Sequence, residues 1–348
     1  MTYNLQPFVD SIASILSSHN LGAPGAYRRW NSQPYPGASV RDLGLNPYGC
    51  ADAANLLYTI HHFPQDALER AAWIATLRGL QQAESGLFHE ATHHDIHCTA
   101  HCLAALELFD ARPAHPLAAL AALREPAAML ALLGALDWAR NPWRESHRGA
   151  GLYAALVLAG EVGPDWEDAY FRWLAAENDP VSGLWRRGCV ASVNENRAAG
   201  ANQGAGASRS IFPHLAGSFH YLFNHEYARR PLPHPAALVD TCLEIRRADP
   251  FSLGAAVGFA EVDWVFCLTR ALRQSGQRYS EARTALEDFC AEYIPFLLGL
   301  DAASDEGLND LHTLFGAACC LAELQSALPG LLRTDKPLRL VLDRRPFI

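Results

Sequence analysis

The sequence predicts an all-α protein of six helical hairpins, arranged as an (α/α)6 toroid with short β-hairpins in its loops. Three observations carry this expectation. A helical pattern followed by a Gly-containing turn and a second helical pattern recurs along all 348 residues. The first member of each pair carries charges, such as Arg78, Glu167, Asp168, Arg246, Glu281 and Glu287, whereas the second is rich in Ala, Gly, Cys and aromatics. Outside the segments Gly86–Phe88 and Gly183–Trp185, period-two alternation is barely visible.

The clearest unit runs from Trp73 to Phe109. It begins helical, turns at Ser85-Gly86, crosses a His-rich loop and opens a second helix at Asp95, with Ile96, Cys102, Leu103, Leu106 and Phe109 on one face. The pattern places first helices near 7–18, 65–82, 116–138, 163–177, 235–248 and 280–299. Second helices fall near 51–61, 95–109, 147–160, 214–225, 262–273 and 309–325. Polar outer and apolar inner members can close into a ring; an open solenoid of the same hairpins is the alternative. A single domain over 1–348 follows.

Each second helix is expected to start in one phase, at Asp52, Asp95, His147, His214, Asp263 and Asp310. Four of the five intervals lie between 43 and 52 residues, and the fifth, of 67, holds the Gly/Ala/Ser/Asn-rich insertion 189–210. An irregular stretch of that length in a compact fold reads as a functional rim or a surface loop.

Composition narrows the function classes. Half the residues are apolar, 19% are charged and the net charge is −9. That balance supports a large core and, with no basic block, argues against nucleic acid or an anionic membrane as partner. The first twenty residues have no basic and apolar signal pattern. Nine cysteines, mostly in apolar helical runs, read as buried reduced thiols, so the expectation is a cytoplasmic protein of unknown oligomeric state.

The run LQQAESGLF followed by HHDIHCTAHCLAALELF resembles the repeat of the α/α-toroid superfamily. That superfamily includes (α/α)6 glycosidases, lyases and sugar epimerases, terpenoid cyclases and protein prenyltransferase β subunits. The resemblance implies a cavity at the N-terminal ends of the inner helices, and it names no substrate. The cyclase acid motifs D-x-D-D and D-D-x-x-D are absent. Asp95–Leu103 is similar to the zinc-binding segment of prenyltransferase β subunits, but Cys98 stands where the ligand His would be. Asp310-Leu311-His312 has the D-x-ligand form with His in place of Cys. No cofactor is predicted; zinc is possible but not signalled.

Candidate chemistry follows from the ring positions. Glycoside hydrolysis needs two carboxylates flanking one bond, and Asp95 with Asp310 is the preferred pair; helix capping is the structural explanation of the same residues. His147, His214, His220 and Tyr221 are candidate proton-transfer groups, with Arg148 to neutralise a carboxylate, the logic of lyases and epimerases. Asn194, Glu195, Arg197, Trp185, Asp263 and His312 are candidate binding residues for a saccharide or similar polar ligand. Among the five histidines between 89 and 101, His93 with His97 or His97 with His101 are four residues apart and share a helical face on which a metal would sit. Carbohydrate hydrolysis therefore leads, with elimination or epimerisation second. A prenyltransferase- or cyclase-like enzyme and a non-catalytic binding scaffold are the alternatives.

Overall fold

The computed structural model describes residues 2–34, 39–190, 211–248, 253–302 and 304–347. The chain is mostly helical, with 61% helix and 3% strand. The helices are α1 (Gln6–His19), α2 (Pro47–Thr59), α3 (Ala67–Gly79), α4 (Asp95–Leu108), α5 (Pro126–Ala135), α6 (Pro142–Ala159), α7 (Pro164–Glu177), α8 (Phe212–Tyr227), α9 (Pro235–Ala248), α10 (Ala260–Ser275), α11 (Tyr279–Leu298) and α12 (Leu311–Ala327). Eleven of the twelve expected segments each correspond to one of these helices; the segment expected near 116–138 is instead a 3-10 helix, Ala118–Arg124, followed by α5, with a bend of 100° between them where Pro126 cannot continue the first.

The even-numbered helices pack in cyclic order: α2 on α4, α4 on α6, α6 on α8, α8 on α10, α10 on α12, and α12 back on α2. Burial follows that order. α8 buries every residue from His214 to His225 and α10 every residue from Glu261 to Ala271, whereas α3 buries only Trp73 and Leu77. Odd-numbered helices lie against these and against one another, as α5 does on α7 and α9 on α11. The charged and apolar compositions of the two helix sets thus sort them by depth.

Two hairpin turns repeat atom for atom. After α3, the Gln81 side-chain amide donates to Gly86 O at 2.7 Å, Gly86 N–H to Gln82 O at 2.8 Å, and Phe88 N–H to Thr99 Oγ1 in the first turns of α4 at 2.9 Å. After α7, Asn178 donates to Gly183 O at 2.8 Å, Gly183 N–H to Asp179 O at 2.7 Å, and Trp185 N–H to Ser218 Oγ of α8 at 2.9 Å. Both glycines have φ near +73°, a region L side chains avoid. The β-hairpins expected at Gly86–Phe88 and Gly183–Trp185 are therefore turns. Their donors bind back into the turn or forward into the next helix, leaving none for a ladder. Among the described residues the named strands are Tyr3–Asn4 and Leu332–Arg333, paired in parallel.

Helix starts differ from the common phase expected. Asn46 and Asn141 accept from the N–H groups of Gly49 and Arg144 and are each followed by Pro at the first helical position. This Asn-Pro start opens α2 and α6 five residues before Asp52 and His147, which consequently sit in the second turn. Asp95 is the first residue of α4, capped by His94, and Asp310 is the N-cap of α12.

The segment Val341–Arg344 packs on both α2 and α8, which stand opposite each other in the cyclic order. It leads Arg345 and Phe347 into complete burial, and the Asn224 side chain of α8 donates to Pro346 O at 2.7 Å. None of the nine cysteines is in a disulfide, and eight are buried. Among the described residues no single helix is long and apolar enough to cross a membrane.

Candidate functional site

A cavity of about 190 Å³ is lined by Arg29, His93, His97, Trp143, His147, His220, Phe259, Asp263, His312 and Thr313. Its lining draws on α4, α6, α10 and α12 in their N-terminal halves, the end the toroid resemblance implies, and on the middle of α8 through His220, while α2 supports it through Tyr48 and Asp52.

Five imidazoles line this cavity. Ring centroids of His97 and His147 are 4.1 Å apart, those of His147 and His220 4.6 Å, and His93 stacks on His97 at 4.9 Å. Tyr48 and His97 hydrogen-bond through the phenol oxygen and Nδ1. Ser146 gives its hydroxyl proton to Trp143 O at 2.5 Å, so it accepts from Nδ1–H of His220 at 2.9 Å. Phe347 closes the inner side, 4.8 Å from the His97 ring and 5.4 Å from that of His220. Burial and neighbouring imidazoles push His97 and His147 well below the usual histidine value, and burial lowers His220 to about 3. At neutral pH these rings are unprotonated.

A second set lies one turn deeper. Asp52 Oδ1 accepts from His101 Nε2 at 2.8 Å and from His312 Nδ1 at 3.2 Å. Burial opposes ionisation of Asp52, but His312 and His101 outweigh it and hold the carboxyl well below the usual range. His101 is brought down to about 3 by burial, despite Asp52. A carboxylate only accepts, so His312 donates Nδ1–H and keeps Nε2 for the cavity.

Asp310 caps α12, accepting from His312 N–H at 2.9 Å, and both its oxygens receive the Arg29 guanidinium at 2.8 Å. Arg29 also donates to Thr92 at 2.9 Å, lies 3.6 Å from Glu90 and covers the face of Trp30, 4.4 Å from its ring centre. Its fork is thus bound to protein. Asp263, in the first turn of α10, differs: its Oδ1 is buried without a protein partner, and burial together with Glu261 pushes its carboxyl well above the usual range. Its surroundings on the cavity wall thus favour the protonated form.

Of the residues proposed from sequence, the fold brings His147, His220, Asp263 and His312 together, with Asp310 behind Arg29. Asp95 is not among them; it is half-exposed and pairs with His89 at 2.8 Å. His214 Nδ1 bonds Trp185 O at 3.2 Å, and the Trp185 indole donates to Leu174 O at 2.7 Å, so both serve the α7–α8 connection. Tyr221 stacks on Trp138 at 5.4 Å, with its hydroxyl lodged where a side chain on Gly149 would be. Arg148 pairs with Glu145 at 3.1 Å. Asn194, Glu195 and Arg197 lie outside the described residues.

Sequence reasoning passed over Arg29, Arg345 and the supporting role of Asp52. Asp52 follows Tyr48 by four residues, as His101 follows His97, a spacing that marks one inward helix face. Arg29 and Arg345 come from a loop and from the segment crossing the ring, with no local pattern to mark them. Two groups among the described residues have metal-ligand spacing, His97–His147–His220 and Asp52–His101–His312, each with its ligand atoms within 4.8 Å of one another. No family model, curated protein or solved structure matches the chain.

Proposed function

We propose that the chain is an (α/α)6-toroid enzyme that moves protons on a small polar ligand of about monosaccharide size, by epimerisation or elimination. The cyclic packing of the six inner helices supports the toroid. The observation that carries the chemistry is that His312, hydrogen-bonded to Asp52, and Asp263, whose burial favours the protonated carboxyl, line one cavity. An imidazole nitrogen that can take a proton and a carboxyl that can give one are what proton transfer on a carbonyl compound needs.

In this reading Nε2 of His312 takes the proton from the carbon next to a carbonyl. Asp263 gives its proton to the carbonyl oxygen as the enol forms. Elimination follows when the neighbouring hydroxyl takes the proton from His312 and leaves as water while the enol returns its proton to Asp263; epimerisation follows when a proton from solvent reaches the other face of that carbon, the enol again returns its proton to Asp263, and His312 loses its proton to solvent. The imidazoles of His97, His147 and His220 line the same cavity.

Other readings are less well supported. Hydrolysis between Asp95 and Asp310 would need carboxylates free to reach one bond, and both are engaged at helix starts. A prenyl chain or an oligosaccharide needs more room than 190 Å³, since even drug-sized ligand sites span roughly 300–1,000 Å³. A scaffold whose acids only cap helices does not account for Asp52 and Asp263, which are buried inside α2 and α10. Nine cysteines without a disulfide fit a reducing compartment such as the cytoplasm.

The test is exchange of carbon-bound hydrogen with D2O on a panel of aldoses, ketoses and uronic acids. Wild type should exchange at least one sugar class, and His312→Gln and Asp263→Asn should each slow it roughly 100-fold or more, with Asp95→Asn near wild type. An inert wild type, or His312→Gln within threefold of it, overturns the proposal.

A further inference from the structure

We propose that His97, His147 and His220 form a zinc site whose fourth coordination position opens into the cavity. The three residues come from α4, α6 and α8, consecutive in the cyclic packing, and offer one imidazole nitrogen each within 4.8 Å of the others. Tetrahedral zinc with Zn–N bonds of about 2.0–2.1 Å sets its nitrogens about 3.4 Å apart. Small ring rotations bridge that difference, and the backbone framework need not move.

The surrounding hydrogen bonds prepare the ligand atoms. Because Ser146 has given its own proton to Trp143 O, it receives Nδ1–H of His220, which leaves the Nε2 lone pair directed elsewhere. Nδ1 of His97 faces the Tyr48 phenol oxygen, which accepts when zinc takes the Nε2 lone pair and the proton resides on Nδ1. Bonds of this kind to the non-ligating nitrogen orient metal-bound histidines and select their tautomer. Three lone pairs turned toward one point repel one another, and a cation converts that repulsion into three bonds.

The same chemistry separates this group from Asp52–His101–His312. His101 has no nitrogen to spare, since Nε2 serves Asp52 and Nδ1 faces the Arg345 guanidinium at 2.8 Å. A cation there would also meet that fixed positive charge. The His97–His147–His220 group contains imidazoles alone, which suits zinc and not magnesium or calcium. Its inner side is closed by Phe347, so an exchangeable ligand can approach from the cavity, where Asp263 and His312 stand.

The inference goes beyond the proton-transfer reading and is tested without substrate. Chelator-treated protein is titrated with Zn2+ and, separately, Mg2+ by calorimetry, and with Co2+ by visible absorption. Wild type should bind one Zn2+ per chain with no Mg2+ competition and give the d–d bands of four-coordinate cobalt. His147→Gln, at a partly exposed position, and His220→Gln should each weaken zinc binding at least 100-fold, with unchanged melting in chelator. His312→Gln should bind within threefold of wild type. Absence of saturable Zn2+ binding in wild type, or zinc binding lost in His312→Gln and retained in His147→Gln, overturns the site. If zinc binds as expected and every sugar fails to exchange, only the proton-transfer reading falls.

Discussion

Arg345 sets a guanidinium nitrogen 2.8 Å from Nδ1 of His101, and both side chains are completely buried. Guanidinium only donates, so Nδ1 of His101 is an acceptor and its proton resides on Nε2, facing Asp52. That fixes the direction of a buried chain of bonds, from Arg345 through His101 to Asp52, which His312 joins from the cavity side. The segment that packs on α2 and α8 thus fixes the tautomer of His101 beneath the cavity.

Removing this donor should cost stability before it touches chemistry. Arg345→Met leaves His101 Nδ1 and the Phe347 carbonyl, which Arg345 Nε also serves, without their partner. A loss of about 1.5–3 kcal/mol is expected, read as a lower urea midpoint with unchanged slope. Arg345→Lys should recover only part of it, because one ammonium cannot reproduce a planar fork that reaches two acceptors. Full stability in Arg345→Met would mean that the bond directs nothing.

The repeated turn predicts opposite outcomes for two Gly→Ala changes. At Gly86, φ is +74° and a Cβ would come within 1.9 Å of Pro116 O, a backbone atom that cannot give way. Gly86→Ala should cost more than about 2 kcal/mol, since the left-handed conformation alone costs roughly 1–2. Gly134 lies inside α5, with nothing within 4 Å of an added Cβ. Gly134→Ala should gain about 0.5–1 kcal/mol from helix propensity. Chemical denaturation of the two variants side by side checks both signs.

How far the sequence was legible follows from the range of the forces involved. Helix positions and depth depend on local periodicity and composition, and eleven of the twelve are readable; the break at Pro126 divides the remaining one. The starts of α2 and α6 were misjudged because Asn46-Pro47 and Asn141-Pro142 cap earlier than the ring residues suggested. That error carried into the site. Asp95 and Asp310 occupy the very start of their helices, where a side chain turns back to cap or out to solvent. His147 and His220 lie further into their helices and line the cavity, as does Asp263 at the end of the first turn of α10. Arg29 meets Asp310 across 281 positions, and no pattern within either segment announces that pair.

His225 lies deep in α8, packed on Phe171 and Trp185 at 5.0 and 5.7 Å between ring centres. Burial lowers it to about 4. The unfolded chain takes up this proton below its ordinary value of 6.5, whereas the folded chain resists until about 4. The stabilisation is complete above pH 6.5 and is lost as pH falls toward 4. At about 1.4 kcal/mol per pH unit, this one residue should account for about 2 kcal/mol of the decline between pH 7 and pH 5. His225→Gln should show a decline smaller by that amount in urea titrations at the two pH values, whatever its stability at pH 7. An identical decline would remove His225 from the acid sensitivity of the fold.

Glu261 and Asp263 should give the reverse dependence. Burial raises Glu261, and burial together with Glu261 raises Asp263. Glu261 keeps one bond, from Gly254 N–H at 3.1 Å to Oε1, while Oε2 and Asp263 Oδ1 are buried without protein partners. Folded carboxyls with raised values hold their protons after the unfolded ones have lost them. The folded state is therefore favoured at low pH and loses ground as pH climbs from the ordinary carboxyl value through the raised ones. Amides of the same shape carry no such proton. Glu261→Gln and Asp263→Asn should thus gain stability relative to wild type between pH 4 and pH 7, and Glu261→Gln should gain doubly, because it also relieves Asp263. The same relief should make the two changes less than additive at pH 7, since each removes the repulsion that the other would. Melting temperatures of both variants and the double variant across that range decide it, and a difference from wild type that shrinks with rising pH would mean that these carboxyls are ionised in the fold.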